Sequence, residues 1–186
     1  MPEAITAAPD AAHGVGAYIA SLRAALGSRD PLAVLREIPA ELERAIADLS
    51  PAALNTREAP GKWSVNQVVQ HLADSELVSA YRYRMTLTHD RPALIGYDQD
   101  LWADRLRYDE ADAHAALDTL VALRVGTLRL LERASPKDFV RVGVHSERGE
   151  ESVADMVTNH AGHDIVHLRQ IARIRQAVGG ATPRQR

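Results

Sequence analysis

The segment "HAGHDIVHLRQI", residues 160–171, sets three of the chain's eight histidines into eight positions of a long helical pattern. At about 100° of turn per residue, His160, His163 and His167 fall within about 60° of one another. They share that stripe with Val153, Met156, Val157, Ile171 and Ile174, so the rings point into a core. A ring nitrogen left there without a partner costs about 1 to 3 kcal/mol. Any fold that uses this helix must therefore supply something for those nitrogens to bind. His163 and His167 lie four residues apart, which puts two imidazoles on adjacent turns of one face, within reach of a single ion.

The rest of the chain is punctuated for helices. Asp30 before Pro31 reads as an N-cap with proline at the first helical position, opening "PLAVLREIPAELERAIADL", with a kink or break expected at Pro39. Ser64 and Gln67 have capping-box spacing ahead of "VVQHLADSELVSAYRYRMTL". Leu117, Leu120, Val121, Leu128 and Leu131 recur at helical spacing over 110–133. Ser152 and Asp155 open the histidine helix, and Gly179 and Gly180 close it. These four substantial helices, with a short extra N-terminal helix, predict an all-α, four-helix-bundle chain of one domain spanning 1–186, its core about 30–177. The Ala-rich first dozen residues and the "ATPRQR" tail are expected to fray. Residues 140–151 read as a small extended excursion, and 89–108 as a long connection of the kind that often carries function.

Composition removes several classes of function. A net charge of −3, with Arg scattered among Asp and Glu, lacks the basic stripe of a nucleic-acid binder. No window is apolar enough to cross a bilayer, and the N-terminal stretch lacks the pattern of a secretory leader, so a cytoplasmic protein is expected. With no cysteine, the chain offers neither a nucleophilic thiol nor a thiolate ligand, and a transition-metal site must use nitrogen and oxygen donors. Zinc and its neighbours take three protein ligands when a position is left open for chemistry. His71, on the flank of the stripe formed by Val65, Val69, Leu72 and Glu76, is the candidate third ligand. His160 is expected to line the pocket or support a ligand. "HDIVH" is a poor zincin signature: Asp164 is one methylene short of the usual Glu, and the metzincin continuation is missing.

"GKWSVNQVVQHLADSE", "GYDQDLWA", "LVALRVGTLRLL" and "AGHDIVHLRQI" together resemble the DinB/YfiT-like family of metal-dependent enzymes over about residues 30–177. The resemblance implies a four-helix bundle with crossed-over connections and a metal site of His71, His163 and His167, usually filled by nickel or zinc. It also implies, for some relatives, S-transferase or isomerase activity with a low-molecular-weight thiol such as bacillithiol or mycothiol. "HLRQ" departs from the H-R-G-Q of a large branch of the family, so no substrate carries over. The function expected is thiol-dependent S-transfer on a small-molecule substrate, because the resemblance implies it and no internal nucleophile or general base accompanies the ligands; a homodimer is expected as well. The alternatives are a metal-dependent hydrolase, a non-catalytic metal-binding stress-response protein and a metal-free helical interaction module.

Arg124 and Glu76 each lie in the middle of an apolar stripe, where an isolated charge costs several kcal/mol. Either they pair internally, or Arg124 offers its guanidinium to a carboxylate substrate or an acidic thiol cofactor. Arg124, Glu76 and Asp98 are thus the catalytic candidates, and Arg124 and Tyr97 the cofactor-binding ones. Asp98 and Asp100 either line the pocket mouth with Tyr97 and Trp102 or cap the turn they precede. His145, in the excursion before the histidine helix, either reaches the site or, the preferred reading, is a solvent-exposed loop residue; Trp63 reads as a hydrophobic staple, and His13, His89 and His114 as surface.

Overall fold

Four long helices enclose the core of the computed structural model, which describes residues 14–179. The expectations for the first dozen residues, His13, Gly180 and the tail lie outside that range. The long helices are α2 (Pro31–Ile46), α4 (Val65–Thr88), α6 (Ala113–Arg133) and α8 (Val153–Gly179). α1 (Val15–Leu26) packs outside them on α8, and α3 (Pro51–Asn55), α5 (Gln99–Arg105) and α7 (Pro136–Phe139) lie in the connections. Among the described residues no helix is long and apolar enough to cross a membrane.

Helix starts follow the chemistry of their caps. Asp30 accepts from the Leu32 amide ahead of Pro31. Ser64 and Gln67 form the full reciprocal capping box. Ser152 and Asp155 do the same for α8, with the Asp155 amide donating to Ser152 Oγ and the Ser152 amide to Asp155 Oδ2. α6 begins three residues later than its apolar pattern suggests, at a cap on Asp112. Val121, expected on the inward stripe, is 37% exposed.

Packing fixes the topology. α2 and α4 each pack on both α6 and α8, so α2 lies diagonally across from α4, and α6 from α8. The α2–α4 and α6–α8 connections therefore cross an end of the bundle, and only α4–α6 joins neighbours. The α6–α8 crossing carries an antiparallel hairpin, β2 (Val142–His145) and β3 (Gly149–Ser152). A two-residue strand in the α4–α6 connection, β1 (Ala93–Leu94), pairs in parallel with β2. The extended excursion is thus a three-stranded sheet that ties two connections together. Gly143 lets that sheet seat closely, since a Cβ there would lie 2.5 Å from Leu94 Cδ1 and 2.8 Å from Thr86 Oγ1. Gly162 does the same for α1 on α8: its Cβ would lie 2.2 Å from the Leu22 carbonyl oxygen.

Pro39 does not break α2, which runs through it. Its missing N–H leaves the Leu35 carbonyl without a helical donor. Arg124 Nη1 donates to that carbonyl at 2.8 Å. A defect in one helix is thereby satisfied by a charged side chain from another.

Candidate metal centre

The three histidines predicted as ligands converge. α4 supplies His71 and α8 supplies His163 and His167; one ring nitrogen of each lies within 4.8 Å of the others. Ring centroids are 5.1 Å apart for His71 and His163, 4.7 Å for His71 and His167, and 4.4 Å for His163 and His167. His71 Nε2 and His163 Nε2 face each other at 3.1 Å. His167 Nδ1 donates to Gln170 Oε1 at 2.7 Å, so the lone pair of the neutral ring is on Nε2. That Nε2 is buried and has no hydrogen-bond partner among the described residues. A buried acceptor with its tautomer fixed and nothing to accept from, beside two nitrogens pointing at each other, fits a divalent cation.

Electrostatics favour the same occupant. Burial and the neighbouring rings His167 and His163 hold the His71 pKa well below its usual value. Burial also lowers that of His163, despite the nearby Asp164 carboxylate. For His167, burial and His163 push the pKa down to about 3. All three rings are therefore neutral at pH 7, as metal ligation requires. Trp63, expected as a staple, is buried with its ring 5.2 Å from His71, so it walls the site as well.

Behind the imidazoles lies an ionic network that the sequence only half disclosed. Arg124 Nε donates to Glu76 Oε2 at 2.7 Å, the expected internal pair. Thr127 donates to the other Glu76 oxygen. Asp164, weighed at first only as a zincin base, is a second carboxylate partner, accepting from Arg124 Nη2 at 2.8 Å. Its Oδ1 lies 3.7 Å from His163 Nδ1. Burial pushes the Glu76 carboxyl up, but His160 and Arg124 more than offset it and hold the pKa below the usual value. Asp164 is likewise depressed, with Arg124 as the main opposing influence on its burial. His160 sits among these groups, its Nδ1 3.2 Å from the Tyr83 hydroxyl and its Nε2 3.3 Å from Glu76. It is outside the three-histidine cluster and lines a small adjoining cavity.

A larger cavity of about 450 Å³ opens beside the cluster, lined by His71 and His163 among others. Tyr97, Asp98 and Asp100 line it as expected. Asp98 also caps α5, accepting from the amides of Asp100 and Leu101, so both readings of that residue hold. Trp102 reaches the site indirectly, stacked 4.4 Å from Tyr97. Arg124 and Glu76 do not line this cavity. His89 and His114 are exposed, as expected.

His145 takes the less favoured of its two sequence readings and reaches the site. It is 2% exposed and lines the cavity. Its Nδ1 accepts from the amides of Glu147 and Arg148, so the β2–β3 turn folds back onto the ring. Arg82 and Arg148, which the sequence did not single out, line the same cavity. Arg82 sits on α4 between exposed and buried positions, and only the tertiary contact shows where it faces.

A crossed four-helix bundle with three converging imidazoles, two buried and one partly buried, beside a cavity defines a class of helical proteins with a group that could hold a metal ion. The chain belongs to the DinB superfamily, whose profile matches residues 35–171. It is 32% identical over 144 residues to the Bacillus subtilis protein named "Putative metal-dependent hydrolase YfiT", a match covering 75% of this chain and 81% of that one. A Bacillus mycoides protein named as the same kind of hydrolase is 31% identical over 142 residues, covering 76% and 82%. The solved structure of YfiT, described as having an unusual four-helix bundle topology, superposes with a TM-score of 0.76 at 29% identity, over 80% of this chain and 86% of that one.

Proposed function

We propose that this protein is a metal-dependent enzyme in which His71, His163 and His167 hold one divalent ion, zinc or nickel, against the cavity. The observation that carries the reading is the orphaned Nε2 of His167, held as a lone-pair donor by the Gln170 contact. An all-nitrogen set suits zinc, nickel, copper or iron better than magnesium or calcium. Such an ion, when bound, lowers the pKa of a water or a thiol toward neutrality and polarises an electrophile. The chain's part is to keep three rings neutral by burial, to orient His167 through Gln170, and to admit a small molecule to the cavity.

Two nucleophiles suit this arrangement. We favour an external low-molecular-weight thiol, and hence S-transfer, because the chain has no cysteine and, among the described residues, no carboxylate joins the three-histidine group as a further donor, Asp164 beside it being paired with Arg124. The second reading, hydrolysis, is favoured by the names of the relatives. The proposal includes a cytoplasmic setting, where thiols stay reduced. It also includes a homodimer: Leu77 and Tyr81 of α4 and Val121 and Val125 of α6 leave apolar side chains exposed on two helices that pack together.

Cobalt substitution separates the nucleophiles. A thiol substrate adds a sulfur-to-cobalt charge-transfer band in the near ultraviolet, and its alcohol analogue does not. If bacillithiol, mycothiol and glutathione all leave the spectrum unchanged, S-transfer is refuted and hydrolysis takes its place.

A further inference from the structure

Outside the three imidazoles, four buried side-chain atoms among the described residues lack a hydrogen-bond partner: Arg82 Nε, Thr86 Oγ1, Asp100 Oδ1 and His145 Nε2. Three of the four belong to residues that line the large cavity. Their chemistry is specific. Because His145 Nδ1 already accepts two backbone N–H groups, the proton of the neutral ring is on Nε2, which is therefore a donor. Arg82 Nε is a donor in every state, and Nη2 of the same guanidinium donates to the Ile95 carbonyl at 2.7 Å, which fixes its plane.

The charges in the cavity are arranged unevenly. Arg148 is neutralised by Glu151 through two hydrogen bonds of 2.9 and 2.7 Å. Arg82 has no carboxylate within ion-pair distance among the described residues, Glu151 and Glu147 acting on it only from farther off, although it is partly buried. Burial, with Arg148 and Arg82 adding to it, pushes the His145 pKa down to about 4, so the ring stays a neutral donor at pH 7. The Nε of a cationic guanidinium and the Nε2 of a neutral ring, both buried donors without an acceptor, are best satisfied by a group that only accepts and is negatively charged.

We propose that the cavity recognises its substrate through an oxyanion, a carboxylate or phosphate group on a small molecule, held by Arg82 and His145. This deepens the metal-enzyme reading and rests on it only for what happens next: the anchored molecule lies in the cavity that His71 and His163 also line. Its volume of about 450 Å³ is the size of an ordinary small-molecule site. Asp98, Asp100 and Glu147 line it too and would repel a polyanion, so the ligand is not a nucleic acid. Asp100 Oδ1, without a donor of its own, suits a ligand that carries an N–H or O–H away from its oxyanion.

The test is calorimetric titration of the full chain, as purified and again after metal removal, with succinate, inorganic phosphate and neutral succinamide. Succinate or phosphate is expected to bind in both metal states and succinamide in neither; the tighter of the two anions assigns carboxylate or phosphate. Arg82→Gln is expected to weaken the anion about tenfold or more, Arg82→Lys less, with metal content unchanged. His145→Asn keeps an acceptor for the turn amides, loses the Nε2 donor, and is expected to weaken binding about threefold to tenfold. Equal affinity in the parent, Arg82→Gln and His145→Asn would overturn the proposal, as would a failure of both anions to bind. Anion binding that survives in a parent protein unable to hold metal would refute the metal reading alone.

Discussion

Arg124→Met removes three donors at once, from Glu76, Asp164 and the Leu35 carbonyl. It leaves two carboxylates, 0% and 1% exposed, without their cation. The folded variant escapes that repulsion by protonating one of them. From an ordinary Glu value of 4.5, a proton taken up at pH 7.5 costs about 4 kcal/mol. An unpaired buried carbonyl adds about 1 to 3 kcal/mol, and relaxation returns part of the total. A loss of about 4 to 6 kcal/mol is expected in urea unfolding, a large share of a typical domain's stability. The deficit should depend on pH in a defined sense. In the variant the carboxyl pKa is raised above its unfolded value, so the folded state binds the extra proton and stability falls as pH rises. In the parent, the lowered Glu76 value makes its contribution flat above 4.5. The parent-minus-variant difference should therefore shrink by about 1.4 kcal/mol per unit as pH falls from 7.5 toward 5. Adding Glu76→Gln to Arg124→Met should recover about 2 kcal/mol or more relative to additivity. Additive losses with a pH-independent difference, measured at one metal state, would refute the network.

Pro39→Ala supplies an N–H to the Leu35 carbonyl, so it should rescue Arg124→Met by about 1 kcal/mol more than it changes the parent, a difference read from the same urea curves. Gly162→Val drives a side chain into the α1 backbone at Leu22 and should lower the melting temperature by several degrees, with α1 losing hydrogen-exchange protection first. Metal retention should also shift with pH. Because burial lowers all three ligand pKa values, His167 to about 3, protons displace the ion only well below the usual histidine range. Metal content after dialysis should be unchanged at pH 6 and lost only toward about pH 3; loss centred near 6.5 would mean exposed ligands.

Much of this site was legible in the sequence because helical periodicity fixes which way a side chain points once its neighbours are apolar. That logic placed His163 and His167 inward and flagged Arg124 and Glu76 as charges in need of partners. It failed where position depends on tertiary contact. His145 ends β2, a strand of four residues too short for its alternation to stand out in the sequence, and the turn amides folding onto its ring reveal its burial. Asp164 lies on α8 between two site histidines, so its second role toward Arg124 was masked by motif reading. Pro39 reads as a kink or a break because sequence shows the missing N–H but not the guanidinium that compensates for it. The diagonal order of the helices has no local signature at all, since the same four apolar stripes suit a simple up-and-down bundle.

Metal stoichiometry together with X-ray absorption on the purified protein tests the central claim most directly. One divalent ion per chain is expected, with three nitrogen scatterers at about 2.0 to 2.1 Å. That signal and the metal content should disappear together in the His163→Ala, His167→Ala variant while the helical circular dichroism persists. A full complement of metal in that variant, or an oxygen-only shell in the parent, would contradict a site built from His71, His163 and His167.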